Sequence, residues 1–204
     1  MTKTFRLATL ASAAFLALAS SSAAVAADPA SVPAGAYNLE PNHTRVAFAL
    51  DHMGFSTWYG DFSGAKGSLT LDPKHVGGSQ LDVTIPTASI STTNTVLDGE
   101  LKDPTWFDAA KFPTITFHST KVVSTGADTA KVTGDLTLHG VTKPVTLDVK
   151  FHGAGPHPMT KAYTVGFDAS GVLKRSDFGV TKYVPIVGDQ VQIIISAPFE
   201  KKAG

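Results

Sequence analysis

The chain has 204 residues, and its 17 Lys and Arg balance 17 Asp and Glu. That balance argues against nucleic-acid binding, which wants a basic stripe to displace counterions. The absence of cysteine excludes a disulfide framework, a thiolate metal site and a cysteine nucleophile.

Residues 1–27 read as a cleaved export signal: Lys3 and Arg6, an apolar run from Leu7 to Leu18, and an A-x-A site at Ala24-Val25-Ala26. The remaining domain, 28–204, is long enough for one real core. It is expected in the periplasm. No later segment approaches the ~20 consecutive apolar residues of a spanning helix, so no stable membrane insertion is expected.

Period-two alternation dominates the chain from Ala36 onward. Val46, Phe48 and Leu50 alternate with Ala47 and Ala49, Leu81 and Val83 with Asp82, Val145 and Leu147 with Thr146, and Ile193 and Ile195 with Ser196. Such alternation puts one row of side chains inside and the other in water. Turn residues between the runs complete an all-β, antiparallel, up-and-down barrel of about eight strands. The strands fall near 44–52, 60–71, 80–91, 114–124, 131–139, 144–152, 161–170 and 190–200. The exception is a short helical insert between Asn94 and Phe112, where Asp103-Pro104 reads as a cap and first turn. It serves either as a lid or as a plug for one barrel end.

No catalytic or metal-binding constellation emerges, and no cofactor is expected. The seven histidines show no H-E-x-x-H spacing, no serine sits in a nucleophile elbow, and no glycine-rich loop opens a helix. Asp98, Glu100, Asp103 and Asp108 read as a solvated face. His118 lies opposite Ile115 and Phe117 in strand parity, on the wet side.

A set of motifs in fixed order is more specific. It runs from Asn42-His43-Thr44 through Gly60-Asp61-Phe62 to Leu101-Lys102-Asp103-Pro104-Thr105-Trp106-Phe107-Asp108. Phe112-Pro113-Thr114 and Gly134-Asp135-Leu136-Thr137-Leu138-His139-Gly140 follow, then Arg175-Ser176-Asp177-Phe178-Gly179. In this order they resemble the YceI-like proteins, exported bacterial proteins with a lipocalin-like barrel. The resemblance implies binding of a polyisoprenoid or related amphiphile. Glu100 departs from the histidine common in that family.

Strand parity places the first, third, fifth and seventh connections at one barrel end, and the motifs lie in or beside them. That end is expected to be the functional mouth. Ligand contacts are expected from Phe48 and Leu50 on the interior row, from Phe62 and Leu101 in the motifs, and from the aromatics Phe55, Trp58, Trp106, Phe107 and Phe178. Lys143 and Arg175 are placed to meet an anionic head group. The function expected is a non-enzymatic periplasmic carrier of an isoprenoid or similar long-chain amphiphile. Two rivals stand beside it. One is a lipid hydrolase or isomerase using His118, His139, Asp177 or Arg175; the other is a stress-related protein-interaction module. A barrel with a hydrophobic mouth could also homodimerise to cover it.

Overall fold

The computed structural model describes residues 28–202, so the expected export signal lies outside the described residues. Ten antiparallel strands follow in order. They are β1 (Gly35–Leu39), β2 (Arg45–His52), β3 (Ser56–Phe62), β4 (Lys66–Leu71), β5 (Gln80–Pro86), β6 (Thr114–Ser124), β7 (Thr129–Leu138), β8 (Val141–Pro156), β9 (Tyr163–Lys174) and β10 (Val187–Lys201). One short helix, α1 (Thr95–Leu101), lies between β5 and β6.

The strands close into a barrel of eight staves, because the first two staves are each broken in the middle. β10 pairs along one edge with β9 and along the other with β2 and then β1. β3 continues into β4 in the same way, and β4 returns to β1 and β5. The first break has a clear cause. Pro41 has no amide donor, and the Glu40 carboxylate accepts from the amides of Asn42 at 2.8 Å and His43 at 2.9 Å. At the second, Gly64 takes a left-handed φ of 68°. The expected strands near 44–52 and 60–71 are thus halves of longer staves, and β1 is an addition to them.

Alternation fixes the facing. Val46, Phe48 and Leu50 point inward on β2, while Asp51 is exposed and accepts from the Gly54 amide at 2.8 Å. A bulge between Ser119 and Lys121 in β6 resets the inward row, so that Ile115, Phe117 and Val122 all face the interior. His118 stays outside, paired with Asp82.

The helix sits earlier than expected. Asn94 caps it by accepting from the amides of Val96 and Leu97, both at 3.2 Å. Asp98 anchors it further by accepting from the Thr92 hydroxyl at 2.7 Å and amide at 2.6 Å. The Asp103-Pro104 segment instead forms turns, and the chain reverses at Asp108 with φ of 45°. The two hydrogen bonds accepted by Asn94 therefore outweigh the proline signal downstream.

Parity holds throughout the meander. Connections 53–55, 87–113, 139–140 and 175–186 share one end; 72–79, 125–128 and 157–162 share the other.

Candidate ligand-binding cavity

The barrel encloses a cavity of about 260 Å³, a little below the roughly 300–1,000 Å³ usual for small-molecule sites. Every strand contributes to its wall, and each strand from β4 to β10 does so with at least two residues. Thr44, Ser79 and Gln80 are the polar members of the wall, and none of its residues is charged. At the end of connections 72–79 and 125–128 the wall is only half-buried, at Val76, Ser79, Leu81, Val122 and Ala130. Toward the other end Ile115 and Leu138 are buried, at 7% exposure each, among half-buried Ile85, Leu136 and Val145.

That second end is packed shut. Ile90, Leu101, Trp106 and Val180 form one buried cluster with Phe48 and Val191, and Phe178 joins Ile115 and Leu138 in another. The insert is therefore a plug, and the end that carries the motifs is filled. The other end carries a buried cluster too, of Tyr37, Phe151, Val165 and Phe199 on β1, β8, β9 and β10, which leaves the side at connections 72–79 and 125–128 as the less packed part of that end.

Arg175 locks this end. It is 5% exposed and donates to four carbonyls at 2.9 Å: Nε to Gly188, Nη1 to Val180 and Lys182, and Nη2 to Val187. Its guanidinium carbon lies 5.6 Å from the Trp106 ring centroid, within cation–π reach. Burial lowers its pKa from the ordinary arginine value, and the charge of Asp189 opposes this. Burial raises the Asp189 carboxyl, but the Ser176 amide and hydroxyl, at 2.9 and 2.8 Å, hold it below its ordinary value overall.

The motif glycines have packing roles. A Cβ on Gly60 would lie 2.3 Å from the Phe48 ring, and one on Gly134 would lie 2.4 Å from the Phe117 ring. Bare backbone at these two positions lets an aromatic ring from the neighbouring strand lie flat on it. His139 joins the same lock: its Nδ1 is 3.1 Å from the Phe178 carbonyl and its ring 4.9 Å from that of Phe112.

The expected site residues therefore separate into groups. Phe62 lines the cavity. Phe48, Leu50 and Phe107 pack directly behind it, and Leu101, Trp106 and Phe178 belong to the plug. Trp58 lies at the far end of β3 beside His52, 5.7 Å between ring centroids. Both indole N–H groups, of Trp58 and Trp106, are buried with no hydrogen-bond partner among the described residues. Phe55 is 91% exposed on the β2–β3 turn. Lys143 is exposed and pairs with Asp177 at 3.5 Å. Arg175 serves the fold with four of its N–H bonds, so its expected place opposite a head group is corrected: the four carbonyls occupy it.

Most wall residues were outside the expected set, among them Leu81, Val83, Phe117, Leu147, Phe167 and Leu173. Their signal was the alternation itself, which marks an inward row without saying where along the row the lumen lies. His118, His139, Asp177 and Arg175 do not line the cavity. Among the described residues no three His, Asp or Glu side chains gather as metal ligands. A larger concavity, about 720 Å³, lies on the outer wall of β7, β8, β9, β10 and β2. Three of its four charged groups are engaged in surface pairs: Arg45 with Asp61 at 2.7 Å, Asp148 with Lys131 at 2.5 Å and Asp168 with His152 at 2.8 Å.

Comparison with known proteins places this architecture. The UPF0312 protein of Ectopseudomonas mendocina is 38% identical over 161 residues, 79% of this chain and 84% of that one. The crystal structure of Burkholderia cenocepacia BcnA superposes with a TM-score of 0.71 at 27% identity, covering 78% of this chain and 98% of that one. A polyisoprenoid binding domain from Saccharophagus degradans has a TM-score of 0.62 over 81% of this chain and 98% of its own. At 14% identity this likeness shows the fold alone. The YceI-like domain matches residues 37–199, from the buried Tyr37 of β1 to Phe199 of β10, the two strands that close the barrel; the chain belongs to the YceI-like family.

Proposed function

We propose that this protein is a periplasmic carrier or sequestering protein that holds an isoprenoid or similar long-chain amphiphile in its barrel. The observation that carries the reading is the cavity, a lumen of about 260 Å³ with no charged wall residue. Such a space rewards hydrocarbon at about 0.8 kcal/mol per buried methylene and penalises a buried head group that finds no partner. The polyisoprenoid binding domain of the same fold supports the choice of ligand class. The test is native mass spectrometry of protein purified without detergent, together with osmotic-shock fractionation. Retained lipid and release with the periplasmic fraction are expected. A protein that neither retains nor takes up any lipid would overturn the binding reading. Chemical turnover of an added lipid would favour an enzyme instead.

A further inference from the structure

We propose that Phe62 is the stop that sets how far a hydrocarbon chain can enter. The ligand then goes in tail first from the end of connections 72–79 and 125–128 and keeps its head group outside. This rests on the lipid-binding reading and adds a direction and a length limit to it.

Direction follows from the wall. Of the wall's three polar residues Ser79 and Gln80 stand at that end, and the opposite end is filled by the plug clusters. Deeper in, a head group would meet no side-chain donor from the wall other than Thr44, and the one buried cation among the described residues, Arg175, is committed to four carbonyls.

The stop follows from the aromatic stack. Phe62 packs against both plug clusters, with its ring centroid 5.7 Å from Phe48 and 5.8 Å, edge-on, from Phe107. Phe48 cannot retreat, because its ring already lies against the backbone of Gly60. Phe62 is thus a wall residue held from behind, with Trp106 and Leu101 beyond it. A methylene occupies about the room of a water molecule, roughly 30 Å³, so about nine carbons fill the 260 Å³ lumen.

The experiment is calorimetric titration with straight-chain primary alcohols of increasing length, on the whole folded protein and on Phe62→Ala and Phe62→Leu. Affinity should rise about fourfold per methylene until the chain reaches the stop, then level off. Phe62→Ala should move the break up by about three carbons, the room a phenyl ring vacates; Phe62→Leu should move it by less. Circular dichroism checks that both variants fold. An alcohol brominated at its methyl end should quench Trp106 in Phe62→Ala and leave it bright in the parent. Val122→Trp, at the end of connections 72–79 and 125–128, should weaken all lengths alike without moving the break. An unmoved break in folded Phe62 variants overturns the stop, and unaffected binding in Val122→Trp overturns the direction. Failure of the parent to bind any alcohol overturns the lipid-binding reading itself.

Discussion

Replacing Arg175 with Met separates a structural role from a ligand role. Methionine keeps much of the apolar stem and removes every donor. Four carbonyls then lose their partners, those of Val180 and Val187 through buried bonds and those of Lys182 and Gly188 through partly buried ones. A buried group left unsatisfied costs about 1–3 kcal/mol, whereas a partly exposed carbonyl regains most of its hydrogen bonding from water. The guanidinium's own desolvation penalty is recovered, which offsets part of the loss. The expected net destabilisation is about 3 kcal/mol. Equilibrium urea unfolding measures it, and Arg175→Lys should recover only a fraction, because one ammonium cannot replace a planar fork. Because the side chain contacts no part of the cavity, the ratio of affinities for a fatty carboxylate and the matching alcohol should stay within about twofold. A loss under about 1 kcal/mol, or a collapse of that ratio, would refute the clamp and return Arg175 to a head-group site.

Three further outcomes are expected. Phe48→Asp places a charge among Ile90, Trp106 and Val191 and should cost several kcal/mol in a thermal melt and abolish lipid retention; Asp51→Asn, on the outer row, should do neither. Gly134→Ala puts a Cβ 2.4 Å from the Phe117 ring and 2.6 Å from the His118 carbonyl, so overpacking should cost about 1–3 kcal/mol in urea unfolding. The Asp98 carboxyl lies below its ordinary value, first because of the Thr92 hydroxyl that donates to it, then against an opposing burial effect. A depressed folded pKa stabilises above the unfolded value of about 4 and loses that contribution as pH falls through the folded value. Melting temperature should therefore fall on the acid side, and Asp98→Asn should shrink that fall; an unchanged acid limb in the variant would count against the anchor.

The staves of the barrel were legible because alternation is a local property: Val46-Ala47-Phe48-Ala49-Leu50 needs no distant partner to declare its inward row. The division of each early stave was not, since the break at Glu40–Thr44 depends on a carboxylate turning back onto two amides. The candidate site was legible as chemistry and misplaced as geometry. Aromatics and cations gathered by parity at one end suggest a mouth, but whether they line a lumen or fill it depends on packing volume. The burial of Trp106 and Phe178, at 8% and 2% exposure, decides for filling. Arg175 shows the same limit, because its partners are carbonyls and every residue type carries one.

The closure of the barrel has a consequence for the order in which it can assemble. β10 is hydrogen-bonded to β9 on one side and to β2 and β1 on the other, and the Lys201 ammonium donates to the Ala34 carbonyl across 167 residues of chain. Until β10 docks, β1, β2 and β9 each keep an open edge that could pair with another molecule. Contacts of such long sequence separation form slowly. Folding should therefore be limited by the arrival of one strand that seals both flanks at once, and the open sheet that waits for it is the species most prone to aggregate.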